Sequence, residues 1–252
     1  MQKLTPIGAL FSQTIALYKK CIKDLIQPLI IMIIPTLLMT LVLLVNIPGQ
    51  MLIYGLLTIA NIVISLWIAL VIIEAVNKSF LNQPIKLDEI YSPSFKKIPS
   101  YLLIAILTGL IVLGGLILLI VPGIIFSIWY GFALYIFLFD GTKGYAALKK
   151  SKELVVGYTW PIFGRYILAT IIMYIVGFGI SFILSLPFGG MNFTQSTTAS
   201  SIFSVFTTII FTLIAPLLTG MTIIIYYNLK KLKSSPASAA AAAVPPTNEI
   251  PQ

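Results

Sequence analysis

The side chains best placed to do chemistry in this sequence are hydroxyl groups and one amide inside otherwise apolar stretches. In residues 51–73 they recur every three or four positions, so a helix would carry them as one polar stripe: Tyr54, Thr58, Asn61 and Ser65. Residues 202–227 contain a second stripe: Ser204, Thr208, Thr212, Thr219 and Thr222. Because lipid penalises exposed polar groups, we expect both stripes to face protein. They either line a substrate path or form hydrogen bonds that hold helices together.

Two acids stand at the ends of apolar stretches. Glu74 directly follows residues 51–73, and Asp140 directly follows residues 123–139. Two stretches that end on the same side of a membrane would allow these carboxylates to converge and to bind a cation or an amine headgroup. The simpler interpretation is that each carboxylate only finishes a helix at the membrane surface.

Cations are the most frequent charged residues, with 16 Lys and Arg against 7 Asp and Glu and a net charge of +9. The lysines beside two amphipathic segments are candidate contacts for anionic lipid: Lys19, Lys20, Lys23, Lys149 and Lys150. A cation near an anionic membrane surface adds roughly 1 kcal/mol of attraction. Membrane topology alone also explains these cations, because cytoplasmic connections are enriched in Lys and Arg.

Familiar catalytic and metal-binding patterns are missing from the sequence. It has no His to act as a general base, and its single Cys allows neither an internal disulfide nor the usual soft metal sites. Phosphate-binding loops, nucleophile elbows and zinc-protease motifs do not occur. We therefore expect a protein that is not an enzyme, has no cofactor or metal, and does not bind nucleic acid.

The elements that would position these residues are membrane helices. Of the residues, 59% are apolar and 9% are charged, which is typical of an integral membrane protein. A bilayer core about 30 Å thick needs about 20 helical residues to cross it. Six uncharged stretches have about this length: residues 25–45, 51–73, 101–121, 123–139, 166–186 and 202–227. The sequence predicts an all-α, polytopic fold whose transmembrane domain covers residues 25–233.

Prolines and glycines predict where these helices turn. The uncharged residues 101–139 would be roughly 58 Å long as one helix, so this run must fold back. Pro122-Gly123 is the strong breaker pair near its middle, and we expect a tight helical hairpin there. The connection at residues 77–100 contains Pro84, Pro93 and Pro99, and we expect irregular structure with at most a brief helix.

Charge placement predicts the orientation of the six spans. The connections after the first, third and fifth spans contain no charge: residues 46–50, 122 and 187–201. Every cation therefore lies on the other side of the membrane, which is the cytoplasm by the positive-inside rule. Both termini are expected there, and the low-complexity residues 234–252 are expected to be disordered.

Two segments have the pattern of amphipathic helices in the cytoplasmic headgroup region. In residues 1–24 the apolar side of a helical wheel consists of Ile7, Phe11, Ile15, Tyr18, Ile22 and Leu25. A plain extension of the first span explains the same pattern. Residues 143–156 can form a helix that stops at Gly157, with a shared apolar face: Tyr145, Leu148, Val155 and Val156.

One part of the sequence resembles a known family. Its motifs are Val121-Pro122-Gly123-Ile124-Ile125, Phe132-Ala133-Leu134, Asp140-Gly141, Ala147-Leu148-Lys149-Lys150-Ser151, Leu154-Val155-Val156-Gly157 and Trp160. These resemble the signature of the bacterial glycerophosphoryl diester phosphodiesterase membrane domain family and its uncharacterised YciC-like relatives. The resemblance implies a six-span fold in a bacterial plasma membrane. It implies no hydrolysis, because family members that hydrolyse diesters use a separate soluble barrel with His and acidic metal ligands.

These observations lead to a functional expectation with two rivals. We expect a non-catalytic scaffold or lipid-associated accessory protein, whose partners are membrane lipids, including anionic ones, and a membrane protein or a second copy of the chain. The first rival is a small transporter or channel that uses the two polar stripes. The second is an intramembrane lipid enzyme that uses Glu74 and Asp140.

Overall fold

The computed structural model describes residues 4–45, 49–188 and 197–234. In these ranges the chain forms a short 3-10 helix, no strand, and eight α-helices: α1 (Ile7–Val45), α2 (Gln50–Phe80), α3 (Leu87–Leu118), α4 (Ile120–Tyr130), α5 (Ala133–Asp140), α6 (Gly144–Val155), α7 (Thr159–Ser185) and α8 (Thr197–Lys233). The prediction of an all-α fold is confirmed. The predicted tail and much of the two longer uncharged connections lie outside the described residues.

Six helical segments are long and apolar enough to cross a membrane: Ile7–Val42, Gln50–Phe80, Leu87–Leu118, Ile120–Asp140, Thr159–Leu184 and Phe203–Lys233. The protein is therefore a multi-pass membrane protein. Consecutive spans pack as three hairpins, in which α1 pairs with α2, α3 with α4, and α7 with α8. Extensive packing of α1 against α8, and of α2 against α3, joins the hairpins to one another.

The connection between the first two hairpins is much shorter than the sequence indicates. Only residues 81–86 lie outside helices, because α2 continues to Phe80 and α3 already begins at Leu87. The prediction of irregular structure over residues 77–100 is therefore wrong. Pro93 and Pro99 each remove one backbone hydrogen bond of α3, but the start of this helix is held by packing against its neighbours, where Ile90 and Ser94 are fully buried.

The hairpin predicted at Pro122-Gly123 is present, but the chain turns three residues earlier. Leu119 has an extended backbone and separates α3 from α4, while Pro122 sits in the first turn of α4, where its missing N–H does no harm. Gly123 has another role. A Cβ there would lie 2.4 Å from the Leu116 side chain and 2.9 Å from its backbone nitrogen, so this glycine allows the two helices to approach closely.

The fourth span is interrupted in the middle, between α4 and α5. Gly131 and Phe132 lie between the two helices, just after the last turn of α4, which contains the carbonyl of Trp129. That carbonyl accepts a hydrogen bond of 2.6 Å from Ser151 Oγ of α6. A side chain from a neighbouring helix thus satisfies the backbone at the break, which lipid could not do.

Residues 7–24 form the beginning of α1 and not a separate helix. The buried positions of α1 continue across residue 24 at an unchanged spacing, because this face packs against α2 and α8: Leu10, Thr14, Leu17, Cys21 and Leu25. Ile7 and Ile15, on the predicted apolar side, are exposed. The observed arrangement is the extension of the first span, which corrects the predicted boundary.

The second amphipathic segment forms α6, which packs into the bundle against α3, α4 and α5. Leu148 and Val155 are buried as predicted, together with Ala147 and Ser151. Tyr145 and Val156 are exposed and lie outside the face that packs into the bundle. The face is determined by three surrounding helices, whereas the helical wheel assumes one flat interface.

Buried side chains are concentrated at one end of the bundle, which we call the lysine-rich end. It consists of the first halves of α1, α3 and α7, the second halves of α2 and α8, and all of α5 and α6. Leu25, Ile68 and Ile162 have no exposed surface there. The opposite, uncharged end contains the turns near residues 49 and 119, where Met51 is 88% exposed and Ile117 is 86% exposed.

Candidate functional site

The polar stripe of α2 faces α1. Asn61 Nδ2 lies 3.8 Å from Met39 Sδ of α1, and Ser65 Oγ donates a 3.3 Å hydrogen bond to Asn61 Oδ1. Thr58 Oγ1 donates to the Tyr54 carbonyl of its own helix at 2.8 Å. All four side chains are half-buried, as expected for a stripe that faces protein.

The stripe of α8 makes its contacts elsewhere. Thr222 is buried, accepts a 2.8 Å hydrogen bond from Tyr166 Oη of α7, and donates one to the Leu218 carbonyl. Thr212 is also buried, Thr208 and Thr219 are half-buried, and Ser204 is exposed. Within the described residues no hydrogen bond joins this stripe to that of α2. The hydrogen bonds of the two stripes thus go to separate partners.

The two predicted carboxylates are each bonded to a lysine of another helix. Glu74 of α2 forms an ion pair with Lys97 of α3 and accepts a 3.4 Å hydrogen bond from Ser94 Oγ. Asp140 accepts hydrogen bonds from Lys230 Nζ at 2.7 Å and from Tyr226 Oη at 3.0 Å. Each carboxylate thus has its own lysine partner. Over the described ranges, no group of three or more His, Cys, Asp or Glu side chains could hold a metal ion.

Further polar and aromatic contacts join helices at the lysine-rich end, both between hairpins and within the first one. Tyr227 Oη donates to Asn77 Oδ1 at 3.0 Å, and its ring stacks on Phe80 at 4.9 Å. Lys20 Nζ donates to the Ser79 carbonyl at 3.0 Å and to Asn82 Oδ1 at 2.6 Å. Lys20 therefore connects α1 to the end of α2, in addition to any contact it makes with lipid.

The other candidate lipid contacts are on exposed surfaces. The side chains of Lys19, Lys23 and Lys149 are exposed. Lys150 Nζ donates to Thr142 Oγ1 at 2.9 Å. Within α6, Glu153 could form weak ion pairs with Lys149 and Lys150. The ion pairs of the described residues do not include either of these.

A cavity of about 580 Å³ lies among α4, α5, α7 and α8, beside the break in the fourth span. Its polar lining comes from several helices and contains no charged group: Ser127, Tyr135, Tyr166, Thr170 and Thr222. Sequence reasoning identified Thr222 only. Tyr135 and Tyr166 were overlooked because neither belongs to a polar stripe within its own span, and only the packing of three spans brings the hydroxyl groups together.

A larger pocket of about 830 Å³ opens at the lysine-rich end between the starts of α1 and α7 and the end of α8. Its polar lining includes Thr5, Tyr158, Arg165, Asn228 and Lys231. Arg165 is held in place by hydrogen bonds to the carbonyls of Pro161 at 2.7 Å and Thr5 at 2.8 Å. From its position in the sequence, Arg165 is only one more cation on the charged side of the membrane. A signal that could have identified it is that it is the only arginine in the chain.

Residues of the family-like motif have structural roles around α6. Gly141 and Gly157, which flank this helix, have φ angles of +69° and +93°, where a side chain would be strained. Ser151 bonds to the broken fourth span, and Asp140 ties α5 to α8. In this chain the motif therefore supports the fold at the lysine-rich end.

Comparisons with known proteins identify no relative. No family model matches the chain, and neither a curated protein nor a solved structure matches it. The resemblance of residues 121–160 to the membrane domain family stays a prediction. The functional argument consequently depends on the residues and their geometry.

Proposed function

We propose that the chain is a non-catalytic, lipid-associated accessory protein of a bacterial plasma membrane, whose lysine-rich end faces the cytoplasm and attracts anionic lipid. The observation that carries this proposal is the surplus of cations at one closely packed end. Three ion pairs occupy Glu74, Glu89 and Asp140 in the described part of the chain. Most of the 16 Lys and Arg residues are therefore not neutralised by an acid.

The positions of these cations fit an association with lipid headgroups. Lys19 and Lys23 lie on the exposed side of α1, and Lys149 lies on the exposed side of α6. Both helices also carry exposed apolar side chains, such as Ile15 and Tyr145. Cations beside exposed apolar residues are the combination that binds the boundary between headgroups and acyl chains.

The proposal is tested by the lipid that remains bound to purified protein. The full chain is extracted from membranes of phosphatidylglycerol and phosphatidylcholine, passed through a detergent exchange, and analysed for retained lipid by mass spectrometry. We expect enrichment of phosphatidylglycerol that declines with salt, because salt screens surface charge. The triple variant Lys19→Gln, Lys23→Gln, Lys149→Gln should show a lower enrichment than wild type.

A matched control keeps every charge. The triple variant Ser12→Ala, Gln13→Ala, Gln27→Ala changes three exposed polar residues of α1 and should retain the same lipid as wild type. Equal retention of the two lipids by the wild-type chain would refute the proposed function.

The cavity beside the fourth span favours a second candidate, a small transporter or channel. Interrupted membrane helices are found at transporter sites, and here the break lies next to the hydrogen-bonded pair Tyr166 and Thr222. Flux of glycerol, sodium ions and phosphate into proteoliposomes would test it. Flux that is lost in Tyr166→Phe but kept in Asn61→Leu would support this candidate, and absence of flux for all three solutes would count against it.

A further inference from the structure

We infer that the pocket between α1, α7 and α8 is a binding site for the phosphate group of an anionic membrane lipid, with Arg165 and Lys231 as its cationic ligands. The inference rests on the proposed association with anionic lipid and adds one defined site to the attraction by exposed lysines. We call this site the Arg165 pocket.

The Arg165 pocket has the charge and geometry of an anion site. Its lining contains Arg165 and Lys231 and no acidic residue. The guanidinium group has five N–H donors, and the two hydrogen bonds to Pro161 and Thr5 hold it while leaving three donors for a ligand. A group that is already oriented loses little conformational entropy when a phosphate binds.

The use of arginine at this position is informative. Arg165 is the only arginine in the chain, and all other cations are lysines. Membrane topology is served equally well by lysine or arginine, so it does not explain the difference. The planar guanidinium differs from lysine because it can donate two parallel hydrogen bonds to a phosphate.

The depth of the pocket matches a headgroup that remains attached to its acyl chains. Arg165 directly precedes the uncharged residues 166–186, and Lys231 follows the apolar part of α8. Leu4, Pro161 and Leu232 provide an apolar part of the lining. Basic pockets between membrane helices at the charged surface are known sites for anionic headgroups. A free phosphate ion would gain nothing from the apolar part.

The first turn of α7 adds favourable electrostatics to this site. Tyr158, which lines the pocket, precedes this helix, and its side chain does not cap the helix. The N-terminal end of a helix carries a partial positive charge and unpaired N–H groups, which favour a bound phosphate. This contribution supplements the two cationic side chains.

The experiment measures single-lipid binding to the full chain in neutral detergent. Native mass spectrometry during titration with phosphatidylglycerol gives an apparent Kd for wild type, Arg165→Lys, Lys231→Gln and the control Lys86→Gln, which changes an exposed lysine outside the pocket. We expect about tenfold weaker binding for each pocket variant, since one charge-assisted hydrogen bond is lost. Lys86→Gln should change binding less than about twofold, because this exposed side chain does not line the pocket. Phosphatidylcholine should bind weakly to all four proteins.

Two further comparisons separate the alternatives. Arg165→Lys keeps the positive charge but cannot donate two parallel hydrogen bonds to a phosphate. Lys231→Gln leaves the hydrogen bonds from Arg165 to the backbone intact. If Arg165→Lys is unstable, the result for Lys231→Gln therefore decides the test. Millimolar inorganic phosphate or glycerol phosphate should not displace the lipid. Displacement by either soluble compound at a concentration equal to that of the lipid would overturn the lipid as the occupant.

The outcome also distinguishes this inference from the proposed function. If wild type prefers phosphatidylglycerol and both pocket variants bind it as wild type does, the Arg165 pocket is wrong as the site while the lipid association stands. If wild type shows no preference for anionic lipid, both ideas fail.

Discussion

The lysine-rich end and the uncharged end of this bundle differ in packing, although the same long helices run through both. At the lysine-rich end, side chains such as Ile68 and Leu148 are completely buried. At the uncharged end, large apolar side chains such as Met51 and Ile117 are exposed. Lipid is as apolar as these side chains, so their exposure in a membrane has little cost. Close packing is needed mainly where helices approach water and their polar groups require partners.

The two ends also differ in which helices they hold together. The close contacts of the uncharged end lie within single hairpins: Gly123 against Leu116 in the second, and Gly177 against Phe211 in the third. At the lysine-rich end, Glu74 and Lys97 join the first hairpin to the second, and Arg165 joins the third to the first. The hairpins are thus assembled into one bundle mainly at the end that carries the charges.

The largest expected effect on stability comes from shortening one isoleucine at each end. Ile68→Ala should lower the free energy of unfolding by about 2 kcal/mol, because it leaves a cavity in a fully packed site. Ile117→Ala removes the same atoms from an exposed site and should change the free energy of unfolding by less than about 0.5 kcal/mol. Both free energies are measured by unfolding the variants with a denaturing detergent in bicelles. Equal losses would show that the two ends are packed alike.

A smaller effect is expected when an ion pair between helices is compared with one inside a helix. Lys97→Met leaves the carboxylate of Glu74, whose side chain is 16% exposed, without its cation and should cost about 1 kcal/mol or more. Lys86→Met breaks an exposed pair with Glu89 and should cost about 0.3 kcal/mol. The same unfolding assay at low and high salt tests this, and only the Lys86 effect should disappear at high salt.

The smallest effect is expected at the polar stripe of α2. Asn61→Leu removes the 3.8 Å contact with Met39 and the hydrogen bond from Ser65. Hydrogen bonds between membrane helices contribute on average about 0.6 kcal/mol, so the loss should be no larger than this. Asn61→Asp is the matched comparison, because it places a charge among the spans and should be far more destabilising. A loss of several kcal/mol in Asn61→Leu would show that the stripe organises the bundle.

The fold could be predicted to a large extent because its signals are local. Charge-free stretches of sufficient length indicate the spans, and a 39-residue uncharged run had to fold back near residue 122. Helix ends were less predictable. Glu74 lies inside α2, which continues to Phe80, because a charged residue marks the edge of the hydrocarbon and does not stop a helix. Proline was equally misleading in α3, where packing compensates for the lost hydrogen bonds.

The candidate site was less predictable than the fold, for a specific reason. Lys19, Lys23 and Lys149 were recognised as exposed cations from their positions beside amphipathic segments. Arg165 and Lys231, by contrast, are 66 positions apart in the sequence, and only the packing of α7 against α8 places them in one pocket. Helical wheels describe one helix at a time and therefore miss sites that several helices build together.

The sequence by itself determined that this protein is helical, crosses a membrane several times and keeps its charges apart from its apolar stretches, since each of these follows from hydropathy and chain length. The tertiary structure alone decided which faces are buried, that Glu74 and Asp140 take separate lysines, and that Arg165 lines a pocket with Lys231. Those outcomes depend on contacts between residues that are distant in the sequence. Lipid is as apolar as the helices, so hydrophobicity favours no single arrangement of them, and composition does not predict how they pack.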